Sequence, residues 1–221
     1  MNVRTIAVVS QKGGAGKTTL AIHLAAAATA AGYVSVVVDT DPQATASTWR
    51  GWRGDIDPDV IDCAAHALLA RKLQQVADLG ADLAVIDTPP HADIMAREAC
   101  KAADLVLVPC RPRAFDLDAV KTTIELTRAS AKPAFVVFMA GPPRAPLVYV
   151  EAGHIIAGFG IPVAPVMLPD RAAFHHSVGA GRVAPEIEPD GRAAEEVAAL
   201  WAWTCEHVSL PSYKPASTVA S

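Results

Sequence analysis

Long apolar runs are absent from this sequence. None reaches the roughly 20 residues that a membrane-spanning helix needs, and the expectation is a soluble, cytoplasmic protein. The start of the chain lacks the long apolar region and small-residue cleavage site of a signal peptide; a short apolar run leads straight into a glycine loop. Aromatic residues are scarce at 5%, against 52% hydrophobic residues overall, so the core has to come from Ala, Val, Leu and Ile. The four cysteines, Cys63, Cys100, Cys110 and Cys205, contain no CxxC pair, which argues against a disulfide framework or a zinc knuckle. Positive charge is also short. Nineteen Lys and Arg face 23 Asp and Glu, a net charge of −4, so any contact with nucleic acid must come from a local patch.

What is present is a regular order of elements. Apolar, β-branched runs recur at 6–9, 34–38, 83–86, 105–108, 135–138 and 163–166, with a further short strand expected at 59–61. They are continuous rather than alternating, as for strands covered on both faces. Helix-like stretches lie between them at 17–31, 63–79, 92–102, 115–130, 147–158 and 192–207. This order predicts an α/β fold of three layers, a mostly parallel twisted sheet with helices on both faces. Residues 1–208 are expected to form one domain. The polar, proline-containing stretch 209–221 is expected to be a disordered tail. In such sheets the residues just beyond the strand ends carry the chemistry.

Beyond the first run lies SQKGGAGKTT, residues 10–19. Gly13, Gly14, Ala15 and Gly16 let backbone N–H groups turn inward around phosphate oxygens, and the helix that follows adds its N-terminal dipole. Lys17 is placed to reach the β- and γ-phosphates of a nucleotide, Thr18 to ligate Mg²⁺ and Thr19 to touch the α-phosphate. The run at 83–86 ends in Asp87, a carboxylate placed to hold Mg²⁺ directly or through water, followed by Thr88-Pro89-Pro90. The run at 34–38 ends in Asp39-Thr40-Asp41-Pro42-Gln43; Asp39 is a candidate for the metal shell and Asp41 lies further out, where an attacking water would sit. A second lysine, Lys12, precedes the glycines and has no role within a simple phosphate loop.

The motifs KGGAGKTT, DTDPQ and VIDTPP, in this order, resemble the ParA/MinD superfamily of deviant Walker-A ATPases. DTDPQ looks most like the ParA branch, whose members partition plasmids and chromosomes or position protein cargo. The segment Asp104–Pro109 followed by Arg113-Ala114-Phe115-Asp116, and the stretch from Arg171 through Glu186 to Glu196, extend the likeness to about residues 3–207. The resemblance implies a P-loop NTPase fold, ATP and Mg²⁺ as cofactors, and hydrolysis to ADP. It implies that Lys12 is the signature lysine, crossing to the phosphates of the other subunit in an ATP-closed homodimer, and that Asp41 positions water. Pro169 is the expected backbone contact to the base, because Met139-Ala140-Gly141 replaces an asparagine common in relatives. The phosphate loop begins at residue 12, leaving no room before it for a helix-turn-helix domain, so the chain is similar to small ParF-like plasmid proteins.

The resemblance also implies partners. These are non-specific double-stranded DNA on a nucleoid, a ParB-like centromere-binding adaptor that stimulates hydrolysis, and further copies of the chain, extending to polymers. Arg144, Arg171 and Arg182 are the candidate DNA contacts. MinD relatives end in a basic amphipathic helix for membrane. Here the last helix begins acidic and carries Trp201 and Trp203, read as packing residues, so no membrane partner is expected. Other readings are a positioning ATPase for a non-replicon cargo and an ATP-dependent biosynthetic enzyme of the cobyrinate or dethiobiotin synthetase type. Cys100 and Cys110 do not carry the context of an iron–sulfur reductase.

Overall fold

The computed structural model describes residues 3–214. In chain order it contains β1 (Arg4–Val8), α1 (Lys17–Ala30), β2 (Ser35–Asp39), α2 (Thr45–Arg53), β3 (Asp59–Asp62), a 3₁₀ turn (His66–Leu68), α3 (Leu69–Asp78), β4 (Leu83–Asp87), α4 (Asp93–Ala102), β5 (Leu105–Cys110), α5 (Ala114–Arg128), β6 (Ala134–Phe138), α6 (Pro146–Gly158), α7 (Ala172–Gly179), α8 (Ala184–Ile187) and α9 (Arg192–Val208). The six strands form one parallel sheet in the order β3-β2-β4-β1-β5-β6. Side chains alternate across it. Ile6, Val8, Val37, Val85 and Leu107 face the layer of α1, α2 and α7–α9, while Ala7, Val9, Val38, Ile86 and Val108 face α3–α6. Both faces are covered, which is why the strands read as unbroken apolar runs.

Register fixes where the chemistry sits. Val8 and Asp39 both stand opposite Asp87, so β1, β4 and β2 end at one level. β1 lies between β4 and β5. The loop leaving it therefore has a carboxylate-bearing strand on one side and a different strand end on the other.

The structure departs from the sequence pattern in four places. The run at 163–166 is no strand; it makes only isolated parallel bridges, Val136 with Val163 and Met139 with Leu168. Pro162 and Pro165 remove ladder donors there. The expected short strand at 59–61 is present as β3, and three helices, α2, α7 and α8, lie outside the expected helix-like stretches. The helix expected over 63–79 is confined to α3 and its preceding 3₁₀ turn. The tail expected from Ser209 does not leave the body at once. Tyr33 donates to the Pro211 carbonyl, Trp201 Nε1 to the Ser212 carbonyl, and Lys214 bonds Asp82 through Nζ at 2.6 Å. The rest of that expected tail, 215–221, lies outside the described residues. Trp201 is buried and Trp203 packs edge-on against Phe135, so both are packing residues as read.

Two buried polar contacts tie the helices of this layer to one another. Arg53, at the end of α2, reaches Glu186 of α8 through both terminal nitrogens and also donates to the Gly181 carbonyl. His23 on α1 accepts from the Ala184 N–H at Nε2, so Nδ1 must carry the proton that is donated to the Thr19 carbonyl at 2.7 Å. Burial lowers the His23 pKa to about 4. The folded state thus refuses a proton that the unfolded chain takes up near pH 6.5. This contribution is full above pH 6.5 and falls as pH drops towards 4, by about 3 kcal/mol in the limit. In urea melts at pH 7.5 and pH 5 the wild type should lose about 2 kcal/mol more than His23→Gln over the interval, the comparison cancelling every other titrating group; an equal pH dependence in both would remove His23 as the cause.

Candidate functional site: a phosphate loop with buried carboxylates

The chain leaves β1 through Ser10 and turns at Gly14 (φ +72°) and Gly16 (φ +99°) before α1 begins at Lys17. Both conformations suit glycine, and a Cβ on Gly16 would stand 3.0 Å from Met139 Cε. The loop therefore lies tightly over the end of β6, and its residues line a cleft of about 1620 Å³. Residues 12–19, Asp41, Pro169 and Met139 all line this one cleft. The predicted phosphate, base and water-positioning residues are thereby brought together.

Asp87 lies beneath the loop. Its Oδ2 accepts from the Thr18 hydroxyl at 2.6 Å, while Oδ1 is buried without any hydrogen-bond partner. Burial raises its pKa to about 7, against the opposing pull of the Thr18 hydrogen bond and Lys17. A buried carboxylate oxygen without a donor, next to a hydroxyl, fits a hard divalent cation, which takes oxygen ligands and removes the cost of the charge. Thr18 and Asp87 are the residues that would hold it. Lys17 is also buried; desolvation lowers its pKa, countered by Asp87 and then Asp41. Its Nζ rests 3.2 Å from the Lys12 carbonyl, inside the loop that a phosphate would fill.

Two sequence expectations change. Asp39 is completely buried, and both its oxygens are already used: Oδ1 accepts the Asp41 N–H at 3.1 Å, and Oδ2 accepts the Ser47 N–H and hydroxyl, each at 2.9 Å. Here it caps the start of α2 from outside the helix and orients Asp41, a supporting role beside the position that Thr18 and Asp87 frame. Arg171 is not a free cation for DNA. Its Nε and Nη2 form a two-pronged pair with Glu196 at 2.8 and 2.5 Å, and the residue faces the nucleotide cleft. Arg144 and Arg182 are exposed, Arg144 before α6 and Arg182 before α8.

Lys12 stands at the rim of the cleft. Its ammonium pairs with Asp116 of α5 at 3.0 Å. Two neighbours escaped the sequence reading. His91 ties the loop after β4 to the phosphate loop through its N–H to the Gln11 carbonyl, in a left-handed conformation (φ +53°). Arg111 follows β5 directly and lines the cleft. The rule that strand ends carry the chemistry points to it, but the apolar run read from sequence ends at Val108, three residues short. The adjacent His175 and His176 lie on the surface of α7, His175 bonded to Asp170. Cys100 and Cys110 are core thiols that burial pushes up to about 11 and 12, unsuited to a cluster at a subunit axis.

With this geometry in view, comparison with known proteins is decisive. Residues 6–182 match the model of the CobQ/CobB/MinD/ParA nucleotide-binding domain. The chain belongs to this family. Among relatives, it is 34% identical over 213 residues to "Maintenance of carboxysome distribution protein A" of Gloeobacter kilaueensis, covering 90% of this chain and 95% of that one. It is 32% identical over 162 residues to the chromosome-partitioning ATPase Soj of Thermus thermophilus, covering 59% and 65%. The fold superposes on the ATP complex of a Cyanothece McdA variant with a TM-score of 0.72, at 14% identity, covering 97% of this chain and 99% of that one. The three-layer α/β fold and the nucleotide-binding family are thus those expected from KGGAGKTT, DTDPQ and VIDTPP. No helix among the described residues is long and apolar enough to cross a membrane.

The capping role of Asp39 makes a specific prediction. Asp39→Ala should lower stability by about 0.5–2 kcal/mol, the range for lost helix caps, and leave Mg²⁺ affinity in the presence of nucleotide within about threefold. Denaturant melts and a Mg²⁺ titration check it; a large loss of Mg²⁺ affinity with unchanged stability would return Asp39 to the metal shell.

Proposed function

We propose that this chain is a Mg²⁺-dependent, ParA-type ATPase that closes into a homodimer on ATP and positions a cargo across DNA. The observation that carries the reading is Lys12. It sits in front of the loop whose own phosphate seat belongs to Lys17, and it is held at the rim on Asp116. There it is positioned to exchange that carboxylate for a phosphate brought by a second copy. The rim itself supports a protein partner. Ile94, Phe115 and Leu147 are each the second residue of the helix that follows β4, β5 and β6, and they are 60%, 87% and 72% exposed. Large apolar side chains gathered on the loop-bearing edge mark a contact surface, and a two-fold closure over two nucleotides buries the same patch on both copies.

In this reading the loop N–H groups and Lys17 hold the β- and γ-phosphates. Thr18 and Asp87 would hold a Mg²⁺ ion, which would supply positive charge beside the phosphates. Asp41 faces the cleft with Oδ1 already accepting the Gln43 N–H, which fixes its orientation for ordering the attacking water. Hydrolysis removes the phosphate that Lys12 bridges and the dimer opens. Arg144 and Arg182, doubled by dimerisation, are the proposed backbone contacts to DNA on a nucleoid, and a ParB-like adaptor is the proposed stimulator.

The cargo is proposed to be either a replicon or a protein body. The coverage of relatives favours the protein body, because the likeness to a carboxysome distribution protein spans nine-tenths of the chain and that to Soj about six-tenths.

Three outcomes are expected. ATP with Mg²⁺, and not ADP, should produce sequence-independent retention on double-stranded DNA that weakens steeply with salt; salt-insensitive or ADP-equal retention would contradict the DNA reading. Asp41→Ala should bind ATP as the wild type does and lose at least tenfold in phosphate release. Phe115→Asp should leave monomer nucleotide affinity unchanged and abolish the ATP-dependent mass increase in light scattering; a normal dimer in this variant would move the contact elsewhere.

A further inference from the structure

Most charged side chains around the cleft have a partner. Lys12 is held by Asp116, Lys17 by a loop carbonyl and Arg171 by Glu196. Arg111 differs. It leaves the end of β5 and lines the cleft, its Nη2 lies 3.9 Å from where a Cβ on Gly14 would stand, and its Nε is buried with no hydrogen-bond partner. Among the described residues no carboxylate pairs with it. A guanidinium keeps its charge at any working pH, so it cannot lower the cost of this position by losing a proton. Leaving a partly buried cation unpaired is unfavourable, and the place where it points is the loop built for anions.

We propose that Arg111 reads the terminal phosphate of a triphosphate held by its own chain, donating to that group from the β5 side of Gly14. The inference rests on the nucleotide reading above. Its logic is positional. β1 carries the loop, β4 on one side supplies Asp87, and β5 on the other supplies Arg111. The phosphate chain is thus flanked by a metal-binding carboxylate and by a planar fork able to take two oxygens at once. Lys17 serves both di- and triphosphate from within the loop. Arg111, next to the left-handed turn at Gly14 rather than at the helix start, meets the outermost group. A diphosphate leaves it as unpaired as it is in the free protein, so within a single chain this residue lets the site distinguish the substrate from the product before any dimer closes.

Calorimetric titration of wild type, Arg111→Gln and Arg111→Lys tests the proposal, using Mg²⁺ with ADP or with a non-hydrolysable ATP analogue. Arg111→Gln should bind the analogue roughly 10–100-fold more weakly, the range for a lost charge-assisted hydrogen bond, and ADP within about twofold of wild type. Arg111→Lys should recover part of the analogue affinity. Thermal melts without nucleotide should show Arg111→Gln at least as stable as the wild type, because it loses an unpaired cation. Equal loss for both nucleotides, no loss for either, or a variant that melts well below the wild type would overturn the assignment. A wild type that binds neither nucleotide fails the underlying reading; a wild type that binds both with unchanged variants fails Arg111 alone.

Discussion

The site depends on one buried carboxylate. Asp87 is taken out of water at the end of β4, with one oxygen on the Thr18 hydroxyl and the other without a donor. Such a group is costly until a cation meets it, and its pKa of about 7 expresses that cost. The rest of the arrangement follows from keeping it there. Register between β1, β4 and β2 brings the phosphate loop above it and Asp39 beside it. Thr40 lies alongside and donates to the Asp87 carbonyl, so the loop carrying Asp41 is tied to the same strand end.

The cations are arranged in depth. Lys17 is buried in the loop, Arg111 flanks the loop from β5, and Lys12 stands at the rim on Asp116. In the proposed reading depth matches partner: the innermost lysine serves any nucleotide of its own chain, the arginine its outer phosphate, and the rim lysine a phosphate outside the chain. A ligand can shift the monomer–dimer balance only by its differential interaction with the two states, and a lysine that exchanges an internal carboxylate for an external phosphate provides such a difference.

Much of this was legible in the sequence because it is local. KGGAGKTT encodes a turn and a helix start within a few residues, and Asp87 ends an apolar run that can only be a buried strand. The capping role of Asp39 was not legible, because it depends on α2, a short helix with three glycine or threonine positions, Thr45, Thr48 and Gly51, whose buried face rests on Ala46, Trp49 and Arg53 alone. Arg171 read as a free surface cation because its partner, Glu196, is 25 residues away on another helix. Arg111 was hidden behind Pro109 and Cys110, which continue β5 past the point where its apolar signal fades. Pairings across elements decide whether a charge is available, and composition carries no trace of them.

In this reading Lys12 makes nucleotide binding and dimer closure one event. Sedimentation velocity of the wild type and of Lys12→Ala, each without nucleotide, with Mg²⁺–ADP and with Mg²⁺ plus a non-hydrolysable ATP analogue, separates the two. A dimer is expected only for the wild type with the analogue, and a monomer for Lys12→Ala that still binds the analogue. An Lys12→Ala protein that dimerises as the wild type does, or a wild type whose mass ignores the nucleotide, would refute the coupling.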